Sequence, residues 1–100
     1  MGAAVELYGF VRLHVRAGEE REVEEALREV IRLSREEAGC VSIHAFRSLR
    51  DRRLFFIHSK WVDEAAFQLH GGLPHTLRFL ERVDPWLDQP LEVARTETIE

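Results

Sequence analysis

The feature that most limits the fold is a pair of strand-like segments with bulky apolar side chains on both faces. In residues 5–15, Leu7, Val11, Leu13 and Val15 fall on one face, while Tyr8 and Phe10 fall on the other. In residues 53–61 the centre reads Leu54-Phe55-Phe56-Ile57, apolar on both sides. Successive side chains of a strand point to opposite faces of a sheet. An antiparallel sheet with one wet face shows clean apolar–polar alternation, which these segments lack. Something must therefore cover the second face. In a chain of 100 residues the simplest cover is the same sheet of a second copy, which also adds buried surface to a small domain. The expectation is a homodimer through sheet faces. The alternative cover is the carboxy-terminal segment of the same chain.

The remaining elements follow from periodicity and punctuation. In residues 19–37, Val23, Ala26, Leu27, Val30, Ile31 and Ser34 hold helical spacing, and glutamates crowd the first turn, where the helix dipole favours them. Gly39 is a stop signal. Residues 40–47 alternate as a second strand, joined to residues 53–61 by a short polar turn. Asp63 is a good N-cap for a helix over 64–70, which Gly71-Gly72 ends. Pro74 suits the first turn of another helix, through 83. Residues 91–99 alternate weakly and read as a last strand. The order strand, helix, strand, strand, helix pair, strand predicts an α+β fold: a single domain over 1–100 with a ferredoxin-like split βαββαβ antiparallel sheet and helices on one face.

Composition removes several function classes. The formal net charge is −4, and the arginines are interleaved with glutamates, so no basic stripe for nucleic acid is present. The one local basic excess is Arg47, Arg50, Arg52 and Arg53 around Asp51, which reads first as a solvated turn and second as an anionic-ligand clamp. Cys40 is the single cysteine, which fits a reducing, cytoplasmic setting. No apolar run approaches the ~20 residues of a membrane span. The start Met1-Gly2-Ala3-Ala4 shows neither a basic, apolar leader nor a myristoylation pattern.

Five histidines are the candidates for proton chemistry near neutral pH. His70 shares a helix stripe with Ala66, Leu69 and Leu73 and is expected to face inward, either as a structural core histidine or as a functional group. His75 opens the next helix, and a partly exposed position is expected there. His44 and His58 lie on neighbouring strands and can meet across them, at a polar site or a dimer seam. His14, near a strand end, is expected to be solvated. No His-x-His, His-x-x-x-His or paired-cysteine motif signals a metal. Gly71-Gly72 follows a helix, the reverse of what a phosphate loop needs. Ser34, Ser42, Ser48 and Ser59 have no nucleophile-elbow context. Trp61, closing a strand just before the Asp63 cap, suits the wall of an aromatic ligand site or a core anchor.

Several short motifs then line up in order. Val15-Arg16-Ala17-Gly18 resembles the strand-one exit of the antibiotic biosynthesis monooxygenase superfamily. Glu37-Ala38-Gly39-Cys40 is similar to its Glu-Pro-Gly-Cys turn, with Ala38 for proline. Trp61-Val62-Asp63-Glu64-Ala65-Ala66 followed by His70 resembles its tryptophan-to-histidine signature, and Pro74-His75 its Pro-His pair. The set covers nearly the whole chain. Three positions depart from the pattern. Ser59 stands where glutamate is common, Ile43 where tyrosine is common, and the first strand lacks the asparagine of the haem-degrading branch, which disfavours that activity.

The resemblance implies a dimeric α/β-barrel-like assembly and, as one activity, oxidation of a small quinol- or phenol-type aromatic by O2 without metal or flavin. On that reading His70 or His75 handles the proton and Trp61 and Phe79 shape the pocket, with His58 and His44 as further substrate contacts. A second implied activity is isomerisation of a small phosphorylated ketone, as in the autoinducer-degrading branch, with Arg12 or Arg78 as phosphate partner. A third reading is a non-catalytic dimeric ligand-binding or stress module, since fold does not fix function.

Overall fold

The computed structural model describes residues 5–100; the reading of Met1–Ala4 lies outside them. Four strands, β1 (Leu7–His14), β2 (Cys40–Arg47), β3 (Leu54–Trp61) and β4 (Glu92–Thr96), form one antiparallel sheet in the order β2-β3-β1-β4. Helices α1 (Glu20–Ser34), α2 (Glu64–Gly71) and α3 (Pro74–Val83) lie on one side of it, and a 3-10 turn (Asp84–Trp86) follows α3. This is the ferredoxin-like α+β architecture that the periodicities predict. The first helix and the last strand are shorter than expected. The α1 helix stops at Ser34 because Arg35 to Gly39 turn into β2, and pairing of β4 with β1 ends at Thr96, opposite Tyr8.

Alternation assigns the two sheet faces. Leu7, Leu13, Ile43, Phe55, Ile57 and Trp61 point toward the helices and are buried with Val23, Leu27, Val30 and Ile31 of α1 and Phe79 and Val83 of α3. Burying each such side chain contributes ~1.5–3 kcal/mol. The α1 stripe is the one that its spacing predicts. On α2 the inward positions are Ala66, Phe67 and His70; Leu69 is 67% exposed, so in the expected Ala66–Leu69–His70–Leu73 stripe Leu69 is corrected to Phe67.

The opposite face carries no helix. Phe10, Phe46, Phe56 and His58 cluster there, with Phe10 edge-on to His58 at 4.7 Å and Phe46 5.0 Å from it. Phe10 and Phe46 are 41% and 48% exposed. The apolar second face is thus real, and the chain's own carboxy-terminal strand pairs at the sheet edge beside β1 and leaves it uncovered.

Candidate active site

The site is assembled from a loop, a strand end and two helices. Leaving α1, the chain turns through hydrogen bonds from Glu37 N–H to the Ser34 carbonyl and from Cys40 N–H to the Glu37 carbonyl, each 3.1 Å. Gly39 lies so close to α2 that an added Cβ would stand 2.4 Å from the Ala66 Cβ. Its carbonyl accepts from Val62 N–H at 3.0 Å. The turn is thereby held against the β3–α2 junction, and the Glu37 side chain with it.

The α2 helix starts where Asp63 caps it, its Oδ1 accepting from Ala66 N–H at 2.8 Å. His70 falls in its last turn, with its ring 4.5 Å from the fully buried Trp61 ring. Phe67, on the same helix, packs edge-on to Trp61 at 5.8 Å. Gly9 permits this packing, since a Cβ there would lie 2.9 Å from the Phe67 ring. A tight turn through Gly72 leads to Pro74 at the head of α3, and His75 follows.

These placements converge on one carboxylate oxygen. Glu37 Oε2 lies 2.7 Å from His70 Nδ1 and 2.7 Å from His75 Nε2. An ionised carboxylate only accepts, so both rings donate to it. Each ring then has one further nitrogen, Nε2 of His70 and Nδ1 of His75, that the carboxylate does not use. The three side chains are 11–17% exposed, so water screens the charge only in part. Thr76 Oγ1 lies 3.4 Å from His70 Nδ1. Cys40 sits at the base of the turn. Burial, and secondarily the Glu37 charge, push its thiol up, which makes it a poor nucleophile.

Glu37, His70 and His75 also offer three ligand atoms within 4.8 Å of one another. This donor set could take a divalent cation, although no local motif in the sequence signals one. The 2.7 Å contacts are hydrogen bonds. Ligands about 2.1 Å from one tetrahedral ion stand about 3.4 Å apart, so metal entry requires this cluster to open.

The expected site residues divide between the two faces of the sheet. His70, His75 and Trp61 come together, and His75 lies against Glu37 with its side chain partly exposed, as expected. Phe79 is buried in the core on the same side of the sheet. His44 and His58 stand opposite each other in register, but on the open face, away from that side. His58 joins the phenylalanine cluster, and His44 Nδ1 lies 3.1 Å from Arg35. The arginines expected to serve a phosphate are engaged within the chain: Arg12 with Gln89 at 2.9 Å, Arg78 with Glu29 at 3.1 Å.

His14 is a second correction. It is 8% exposed, not solvated. Its Nδ1 lies 2.7 Å from Asp88 and its Nε2 2.8 Å from Asp51. These hydrogen bonds, Asp88 first, outweigh burial and raise its pKa above the usual histidine value.

Sequence reasoning missed Glu37 as a candidate site residue. The signal was present, since Glu37 opens the Glu37-Ala38-Gly39-Cys40 turn, but nothing local to that turn shows which histidines it meets.

Comparison with known proteins agrees with this architecture. The family model described as "Antibiotic biosynthesis monooxygenase" matches residues 9–82. The chain is 32% identical over 71 residues to "Putative monooxygenase YcnE" of Bacillus subtilis (strain 168), which covers 71% of this chain and 75% of that protein. The fold superposes on a "Putative antibiotic biosynthesis monooxygenase" from Nitrosomonas europaea with a TM-score of 0.91, at 17% identity, covering 99% of this chain and 95% of the other. It superposes on PA3566 from Pseudomonas aeruginosa with a TM-score of 0.89, at 25% identity over the full length of both. With the family model spanning most of the chain, this protein belongs to the antibiotic biosynthesis monooxygenase family.

Proposed function

We propose that the protein is a monooxygenase that oxidises a small quinol- or phenol-type aromatic with O2, using no metal or organic cofactor. The observation that carries this reading is the Glu37 carboxylate shared by His70 and His75 beside the Trp61 ring. Family membership supplies the reaction class.

The chemistry balances without a further reductant. A hydroquinone and one O2 give a hydroxyquinone and one water, because the substrate supplies all the electrons. The first step is removal of a phenolic proton, which makes the ring electron-rich enough to pass an electron to oxygen. His70 or His75 takes that proton on the nitrogen that Glu37 leaves free. The carboxylate then faces an imidazolium and stabilises it, as the acid of a Ser-His-Asp triad does. Trp61 and Phe67 provide an apolar, aromatic surround in which such a charge pair is strong.

The test is oxygen consumption by chelator-treated protein against a panel of hydroquinones, naphthohydroquinones and anthrones. The expected result is protein-dependent uptake of one O2 per substrate, unchanged by chelator. Uptake no faster than the spontaneous rate for every compound, or uptake that needs added metal, overturns the reading.

The working unit in this proposal is a homodimer through the open sheet faces. Exposed Phe10 and Phe46, clustered with Phe56 and His58, support it, because a contiguous apolar patch of this kind marks an interaction surface. Sedimentation of Phe10→Asp/Phe46→Asp as a folded monomer, against a dimeric parent, is expected. A monomeric parent contradicts it.

A further inference from the structure

The chain carries a net charge of −4, yet one of its cavities is walled by cations. This groove, of about 510 Å3, runs between α1 and the edge strand β2. Another, of about 300 Å3, is on the open sheet face beside Phe10 and His58.

The groove has a local cause. On the helix-facing side of β2, Ile43 is buried, but the next position is Ala45, whose methyl group is too short to fill the space, and it stays exposed. Leu27 and Ile31 of α1, together with Phe55, complete an apolar floor. Arg28 and Arg32 of α1 and Arg35 at its C-cap follow one another at helical spacing and form one wall. Arg47 and Arg52 come from β2 and its turn. Of the basic excess noted in the sequence, these two join the helix arginines, whereas Arg53 pairs with Asp88 at 3.6 Å.

Five arginines thus face a single lining carboxylate, Glu24. Glu24 is shared by Arg28 and Arg47. Arg35 donates to the Ile43 carbonyl at 2.9 and 3.2 Å. Arg47 lies over the Phe55 ring at 4.7 Å, and its Nε is buried with no partner. Arg32 and Arg52 pair with no carboxylate among the described residues. Like charges crowded over an apolar floor repel one another, and an anion with an apolar body relieves that repulsion. Guanidinium groups match a carboxylate in geometry as well as charge, and the volume is that of a small-molecule site.

We propose that the groove between α1 and β2 binds an organic anion with an apolar body, the head held by Arg32 and Arg52 and the body resting on Leu27, Ile31, Ala45 and Phe55. Glu37, His70 and His75 do not line it, so the proposal stands apart from the oxygenase reading.

The test is amide chemical-shift mapping of the full chain with three probes: 2-naphthoate, its neutral counterpart 2-naphthylmethanol, and inorganic phosphate. The expected result is saturable shifts around Leu27, Ala45 and Phe55 with naphthoate, at a midpoint at least tenfold lower than for either other probe. Arg32→Ala/Arg52→Ala, which removes two exposed groups, is expected to raise that midpoint about tenfold, and Ala45→Phe to abolish the shifts by filling the groove. Naphthylmethanol or phosphate binding as tightly as naphthoate overturns the proposal. So do shifts confined to the open sheet face or the histidine cluster, absence of binding, or an unchanged midpoint in the double variant. If the double variant sediments as a monomer where the parent is a dimer, the groove belongs to a partner chain and the proposal falls.

Discussion

Two histidine–carboxylate clusters stand in this small domain with opposite stoichiometry. At one end of β1, a single imidazole, His14, lies between two carboxylates, Asp51 and Asp88. At the other cluster a single carboxylate, Glu37, lies between two imidazoles. Both ring nitrogens of His14 are used, which favours its protonated form and ties the β2–β3 turn and the segment after α3 to the strand end. At Glu37 each ring gives one nitrogen only to the carboxylate, leaving the other outside that contact. The same residue types therefore make a clip in one place and, on the proposed function, a base in the other, with the number of partners per ring as the difference.

The largest effect that separates them is on turnover. His70→Ala or His75→Ala is expected to reduce quinol-dependent oxygen uptake by about 10²- to 10⁴-fold, the usual share of a general base. His14→Ala is expected to change it less than about threefold by comparison. If all three variants lose activity alike, the distinction collapses.

A smaller effect is predicted for Gly39→Val. The new side chain meets Ala66, so the turn must leave α2 and take Glu37 from the histidines. Loss of about tenfold or more in rate is expected, because misplacing a catalytic group by about 1 Å can cost about a hundredfold. Ring-nitrogen shifts of His14 should be unmoved while those of His70 and His75 change. Unchanged shifts at His70 and His75 would show that the close packing of Gly39 does not position the site.

The smallest effect is on stability and its pH dependence. The pKa of His14 is raised, so its contribution is fully present below the unfolded value of about 6.5 and fades as pH rises through its higher folded value. Asp51 and Asp88 are held below the usual carboxylate range, Asp51 chiefly by Arg53 N–H and then His14, Asp88 chiefly by His14. Their contribution is present above about 3.8 and is lost as pH falls through their lower folded values. The clip is therefore strongest between these limits. His14→Gln is expected to lower Tm by roughly 4–8 °C, the shift for about 1 kcal/mol in a domain of this size. The loss should be largest near pH 5–6 and shrink toward pH 8–9. A loss independent of pH would place the effect in packing, not charge.

The contrast also marks what the sequence could show. The strands, the α1 stripe and the Asp63 and Pro74 helix starts were legible, because period-two and helical spacing are local properties. The double-sided apolar strands also revealed the uncovered sheet face. The clusters were not local. His14 read as solvated because Asp51 and Asp88, distant in sequence, fold over the strand end. Glu37 passed as a turn residue because its partners lie on two later helices. The separation of His44 and His58 from His70 was within reach. His58 has the opposite parity to Ser59 and Trp61 on β3, so alternation alone puts it on the other face from Trp61.

The most direct test of the central claim pairs Glu37→Gln with Asp88→Asn, measuring oxygen uptake and Tm on the same samples. The account predicts that Glu37→Gln loses turnover by about 10²-fold or more with its fold retained, and that Asp88→Asn keeps turnover while its Tm falls. Full turnover in Glu37→Gln, with an active parent, would contradict the assignment of the shared carboxylate to the reaction.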